Sequence, residues 1–443
     1  MSEKKKNAIW IMSDQHRAHM LSCNGDPNAT TPNIDNMAVY GMNFRSAVSG
    51  FPLCCPFRGS MFSSVYPHKC VPGHQYRMPE GQKTITHVFK ENGYYTSYFG
   101  KWHLDGFQES DGRAALHVVP PERRGDFDYW LGYENNNSQW DSWVHGGAAG
   151  DATKSFRLPK YETDALTDLF IDHIKDLAKA NKPFFSVLSV QPPHNPYAAP
   201  PEFMKDYNPA TIAMRPNVPD IATVQEKARR EISGAYAMVE NLDHNIGRII
   251  ECLREEGLLE DTHILFFSDH GDMHGSHGQF LKTNPFEESI RVPFIISGEQ
   301  PTYDGRECGI SHAPINHVDI APTTLGLCGI EKPNFMEGTD YSWHRLSTRP
   351  RANEPDSAYL QSVIPTKHPD STDKPWRGLV TTDGWKYVCF EQMEWLLFNL
   401  NEDPYEQMNL AHNVVYRPKL QELNDRLKKW ADDTDDVFNF PTI

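Results

Sequence analysis

No apolar run in this chain approaches the length of about 18 residues that marks a membrane helix. Positive charge is also in short supply: 43 Lys and Arg stand against 59 Asp and Glu, a formal net charge of −16. A nucleic-acid binder would carry a basic face, so that class is excluded. An anionic ligand would need a few placed Lys, Arg and His inside an otherwise acidic protein. Cysteine is sparse, with eight at positions 23, 54, 55, 70, 252, 308, 328 and 389 and no C-x-x-C pair. This is neither a dense disulfide framework nor zinc spacing. No internal repeat or low-complexity segment stands out. The opening MSEKKKNAIWIMSDQ holds only a short apolar run that ends at Asp14. It reads as the start of a cytoplasmic protein unless a leader has already been removed.

What is present is globular: 39% hydrophobic and 12% aromatic residues. A length of 443 residues suits one large α/β domain with a smaller one attached. Short apolar runs of strand length lie at 7–12, 95–99, 183–190, 263–267 and 292–296. Helical spacing marks 84–91, ended by Asn92-Gly93, then 165–180 and, longest, 224–258. Thr31 and Pro32 read as the cap and first position of a further short helix. Residues 105–160, rich in Trp, Tyr, Asn and Gly, read as an irregular excursion whose aromatics could wall a sugar site. From about 350 the pattern changes to short strands at 379–382, 385–390 and 395–399, closed by a helix at 416–430. The division expected is 1–349 and 350–443.

Chemistry collects after the apolar runs. Asp14-Gln15, Lys101-Trp102-His103, His194 and Asp269-His270 each follow one. In a parallel sheet such ends share one edge, where α/β proteins place their sites. Asp14, Gln15, Asp269 and His270 suit a hard divalent cation. Arg58, Lys101, His103, His194 and Lys282 suit an oxyanion and proton transfer. At 49–66, SGFPLCCPFRGSMFSSVY reads as a tight turn opening a helix, with Pro56 in its first turn and Cys54 at its mouth. Adjacent cysteines also suit an ordinary core.

Cys54-Cys55-Pro56-Phe57-Arg58 resembles the C-x-P-x-R signature of type I sulfatases, in the alkaline-phosphatase superfamily. Gly100-Lys101-Trp102-His103, Pro193-His194, Asp269-His270-Gly271-Asp272 with His277 and Lys282, and Glu287 to Pro293 resemble further landmarks in the family's order. So do 317–323 and 400–406. Phe57 departs from the usual Ser or Ala, Ser63-Ser64 from Thr-Gly, Gln15 from a second Asp and His270 from Asn.

The resemblance implies an α/β fold: a large mixed, mostly parallel sheet flanked by helices, and a smaller C-terminal α+β unit with a short antiparallel sheet. It implies that Cys54 is oxidised to formylglycine by a formylglycine-generating or anaerobic sulfatase-maturating enzyme. Its hydrate would attack the sulfur of a small sulfated substrate. One divalent ion, calcium with magnesium or manganese as alternatives, would be held by Asp14, Gln15, residue 54, Asp269 and His270. Arg58 would hold the hydrate, and Lys101 and Lys282 the sulfate. His194 would serve as acid and His103 as base, roles the sequence allows to be exchanged. Phosphonate monoester and phosphodiester hydrolases share the Cys and the D-Q segment but generally lack Lys and His at positions 101 and 103. A non-catalytic binder of sulfated glycans is the rival from another class.

Overall fold

The computed structural model describes residues 4–148, 154–298 and 305–443. Ten strands form one sheet. In chain order they are β1 (Asn7–Asp14), β2 (Met42–Phe44), β3 (Tyr95–Lys101), β4 (Tyr129–Tyr133) and β5 (Trp143–Ala148). Then come β6 (Phe156–Arg157), β7 (Phe184–Pro193), β8 (Thr262–Ser268), β9 (Phe294–Ser297) and β10 (Gly309–Ser311). The spatial order is β10-β2-β9-β8-β1-β7-β3-β4-β5-β6. Its middle, from β8 through β1, β7 and β3 to β4, is parallel, whereas β9 and β5 run against their neighbours.

The helices are α1 (Pro32–Tyr40), α2 (Cys54–Ser63), α3 (Ile85–Glu91), α4 (Glu162–Ala180) and α5 (Pro201–Met204). They continue with α6 (Ala222–Glu255), α7 (Glu287–Ile290), α8 (Ile320–Leu327) and α9 (Arg417–Asp433). Alternation along β1 shows why a buried parallel strand reads as an unbroken apolar run. Ala8, Trp10 and Met12 enter a core shared with α2, α3 and α8, while Ile9 and Ile11 enter one shared with α1, α4 and α6. Along α6, Ile232, Tyr236, Val239, Leu242, Ile246, Ile249 and Leu253 are all buried. Each full burial of that kind contributes about 1.5–3 kcal/mol.

Four antiparallel strands make a second sheet: β11 (Ser357–Ser362), β12 (Trp376–Thr381), β13 (Trp385–Phe390) and β14 (Met393–Asn399). One face packs Tyr359, Leu379, Tyr387 and Leu397 against Leu420, Leu423 and Leu427 of α9. The other sets Leu360, Trp376, Val380 and Val388 against Met273, Phe286 and Ile290. Among the described residues, no helix is long and apolar enough to cross a membrane.

Two expectations need correction, and one strand went unread. The excursion at 105–160 contains β4, β5 and β6, so it is partly sheet. Glycines hide these strands: a Cβ at Gly132 would stand 2.4 Å from the Gly100 carbonyl oxygen, and one at Gly146 2.0 Å from that of Trp130. Backbones this close leave no side-chain alternation to read. The Thr31 hydroxyl does not cap α1; it donates to Asp35, while Asp243 of α6 accepts from the Asn33 and Ile34 N–H groups. And β11, a polar SAYLQS stretch, carried no strand signal at all.

Candidate active site

The helix α2 opens on Cys54, and Pro56 sits in its first turn, where a missing N–H costs nothing. Leu53, just ahead, is extended and offers no side-chain cap, so the helix mouth is held by packing. Cys54 is 2% exposed. Its Sγ lies 3.2 Å from His270 Nε2, 3.4 Å from Lys282 Nζ, 3.6 Å from Asp14 Oδ1 and 3.9 Å from Lys101 Nζ. Strands β1, β3 and β8 deliver Asp14, Lys101 and Asp269-His270 to one sheet edge, and β7 runs out into His194.

Arg58, one turn along α2, is fully buried, and both of its terminal nitrogens are engaged while Nε has no partner among the described residues. Nη1 donates to the Lys101 carbonyl at 2.7 Å and Ser189 Oγ at 2.9 Å. Nη2 reaches Asp14 at 3.3 Å and Asp269 at 3.4 Å. Lys101 Nζ pairs with Asp14 Oδ2 at 2.7 Å. Charges buried this deeply survive only when paired. Burial alone would raise Asp14, yet the Lys101 ammonium above all, with Lys282, holds its carboxyl well below the usual range. Burial and the neighbouring Asp14 charge push Asp269 up to about 7.

Lys282 is different. It is 1% exposed, and its ammonium meets Gln15 Oε1 at 2.9 Å and His194 Nε2 at 3.0 Å, both neutral. Among the described residues no carboxylate pairs with it. His194 Nδ1 lies 2.8 Å from the Asn195 carbonyl, so that nitrogen carries the proton and Nε2 accepts from Lys282. Burial first and Lys282 next hold His194 well below its ordinary pKa, so it is neutral. His103 makes no hydrogen bond to Cys54; it is 2% exposed, with Nδ1 unpartnered. Burial and Lys101 keep it neutral as well.

Reasoning from sequence passed over several neighbours. Gln15 turns Nε2 to Asp272 at 2.5 Å and to Tyr197 at 3.1 Å, and Tyr197 donates to Asp272 in turn. Asp272 was readable in its motif, whereas Ser189 and Tyr197 carried no signal.

The donor set fits a divalent ion. Ligand atoms of Asp14, Cys54, Asp269 and His270 lie within 4.8 Å of one another, all buried. His270 Nδ1 donates to the Gly271 carbonyl at 2.9 Å, which leaves the Nε2 lone pair facing Asp14 and Asp269, 3.6 Å from each. A lone pair aimed at two carboxylates is unfavourable unless a cation lies among them.

Known proteins resemble this chain along nearly its whole length. The sequence model of the sulfatase family matches residues 6–330, and that of the C-terminal part of N-sulphoglucosamine sulphohydrolase matches 275–433. The ulvan-active sulfatase of Formosa agariphila is 32% identical over 452 residues, covering 98% of this chain and 82% of that protein. The arylsulfatase of Clostridium perfringens is 28% identical over 473 residues, 96% of this chain and 94% of its own. Among solved structures, the candidate sulfatase yidJ of Bacteroides fragilis superposes with a TM-score of 0.86 at 26% identity, covering 99% and 98% of the two chains. A family match across most of the chain, and a relative aligned along nearly all of it, place this protein in the sulfatase family as a sulfuric-ester hydrolase.

Proposed function

We propose that this enzyme hydrolyses a sulfate monoester, an aryl sulfate or a small sulfated carbohydrate, at the cluster around position 54. Lys282 carries the reading. A buried ammonium with no carboxylate partner among the described residues, 3.4 Å from Cys54 Sγ, is a positive charge held ready for an anion. The relatives named as an ulvan-active sulfatase and an arylsulfatase support the same ester class.

Cys54 itself supports conversion to formylglycine by a formylglycine-generating or anaerobic sulfatase-maturating enzyme. Burial and the Asp14 charge push its thiol up to about 11, so an unmodified side chain stays protonated and weakly nucleophilic at neutral pH. The modified residue would supply a hydrate oxygen in place of that thiol. Asp14, Gln15, Asp269 and His270 would hold a divalent ion with it, and calcium suits the oxygen-rich set better than magnesium or manganese. The ion would supply fixed positive charge beside the sulfuryl oxygens.

The chain's own groups divide the remaining work. Arg58 fixes both carboxylates and adds positive charge beneath residue 54. Lys101 and Lys282 bind sulfuryl oxygens from two sides as charge builds there. His194 Nε2, a bare acceptor from Lys282 in the resting site, would take up a proton as the anionic ester binds and pass it to the departing oxygen. His103, neutral and with a free Nδ1, accepts a proton at the nucleophile. The same reading assigns catalysis to 1–349 and support to 350–443.

Mass spectrometry of the peptide bearing position 54 tests the reading, with aryl sulfate turnover normalised to the converted fraction. Aldehyde in place of thiol and turnover proportional to it are expected. Full conversion with no ester hydrolysed, or a preference for the matching aryl phosphonate monoester, would overturn it.

A further inference from the structure

We propose that Cys55, His74 and His103 form a second metal site, separate from the Asp14 centre, that takes a borderline transition ion such as Zn²⁺. One ligand atom from each residue lies within 4.8 Å of the other two. Cys55 is fully buried in the first turn of α2. Its Sγ accepts the Gln75 backbone N–H at 3.3 Å, which seats the segment carrying His74 over it. The His74 ring meets that of His103 edge-on, 5.8 Å between centres and 86° between planes.

Two nitrogens make this more than a crowd of side chains. Nδ1 of His74 and Nδ1 of His103 are both buried and both unpartnered, and His103 as a whole is 2% exposed. Buried polar atoms without partners are costly, and a metal ion would satisfy them. The donors, one sulfur and two imidazoles, are those of zinc and differ in kind from the carboxylate set around Asp14. Bonds of about 2.3 Å to sulfur and about 2.0 Å to nitrogen draw tetrahedral donors to about 3.5 Å apart. His74, only partly buried on its loop, can supply that closure.

The chemistry balances without any redox change. The ion replaces the Cys55 thiol proton, which leaves to solvent, and a zinc–thiolate bond forms while both imidazoles donate lone pairs. Three protein ligands leave one position open for water. The functional consequence rests on the role proposed above for His103. An ion held there occupies the base and stops turnover without disturbing the hard centre. The site is thus inhibitory.

Co²⁺ added to the calcium-loaded enzyme, with position 54 converted, is the probe. A thiolate-to-cobalt charge-transfer band should grow to saturation at one equivalent, and turnover should fall with it; Zn²⁺ should bleach the band and inhibit alike. Cys55→Ala should abolish the band and keep most turnover in the presence of zinc. His74→Gln, with conversion at 54 checked, provides the same comparison should the alanine variant mature poorly. No band in the wild type, a band that survives in Cys55→Ala, or inhibition undiminished in both variants would overturn the proposal. A band with turnover untouched would overturn its inhibitory half and the role given to His103, while sulfate ester hydrolysis itself would stand.

Discussion

Two buried lysines flank Cys54, and they are held in opposite ways. Lys101 ends β3 and is tied to Asp14 at 2.7 Å, in a frame where Arg58 also clamps Asp14 and Asp269. Lys282 belongs to an irregular segment with left-handed backbone at His274, His277, Leu281 and Thr283, and among the described residues it hydrogen-bonds only to neutral groups and Cys54. Each such non-glycine residue costs on the order of 1 kcal/mol or more, which the surrounding packing must offset. The difference separates two jobs. The strand-end charges cancel one another and fix geometry, so Lys101 is structural as well as electrostatic. The charge of Lys282 is uncommitted, and it awaits the anion.

The largest expected effect removes the atom on which both lysines converge. Cys54→Ala should abolish turnover, whereas Cys55→Ala should keep substantial activity provided residue 54 is still converted. Equal loss in both, with formylglycine confirmed at 54 in the second, would sink the assignment of the nucleophile.

Next come the lysines themselves. Lys101→Ala should cost on the order of a hundredfold or more in kcat, as loss of a transition-state charge stabiliser does. It should also destabilise the fold by about 3–5 kcal/mol, because Asp14 loses a buried partner. Lys282→Ala should lower turnover comparably yet leave thermal stability near that of the wild type. Melting curves for the two variants therefore sharpen the comparison, and equal melting temperatures would break it.

Removing the divalent ion probes the carboxylate frame alone. With the ion chelated, Asp269 is pushed up to about 7 by burial and by Asp14, above its value in the unfolded chain. A carboxyl raised in the folded state favours folding at low pH, and that advantage is lost as pH climbs from about 4 to about 7. Chelated enzyme should lose melting temperature across that window, and calcium should remove the loss. Glu406, pushed up to about 8 by burial, and Asp319, pushed up to about 7 by burial, titrate in both forms, so the difference between the curves isolates the site. Identical curves with and without calcium would refute ion binding at Asp269.

How much of this was legible differs between the same two regions. Strand-end residues could be read because β1, β7 and β8 are buried along their whole length and announce themselves as apolar runs. The polar residue after each run is then a candidate for the sheet edge. No such logic places Lys282: its segment has no periodicity, so its charge could be noted in the sequence but its position beside residue 54 rested on resemblance to a family. His74 was invisible, since a loop histidine gains meaning only when Cys55 and His103 are seen around it. β4, β5 and β11 were missed for a physical reason too, glycines at close backbone contacts in the first two and polar composition in the third.

The smallest expected effect tests what holds Lys282 in place. The second sheet reaches this segment through Trp376, fully buried, whose indole Nε1 donates to the Thr283 carbonyl at 3.3 Å. Lys386 of β13 adds a bond to the Pro285 carbonyl at 2.9 Å and a pair with Glu287 at 3.0 Å. Thr283 adjoins Lys282 and holds φ at 79°, so its carbonyl needs an outside partner to stay where it is. Trp376→Phe removes that donor, at about 1 kcal/mol for the hydrogen bond, and leaves a gap where the larger ring stood. Among the described residues the indole makes no hydrogen bond to the Lys101 side, which should be unaffected. The expected result is a KM for the sulfate ester raised several-fold with kcat nearly kept, together with weaker inhibition by free sulfate. If kcat fell instead while KM held, the indole would be supporting the whole frame, and the two lysines would not be as separately built as their partners indicate.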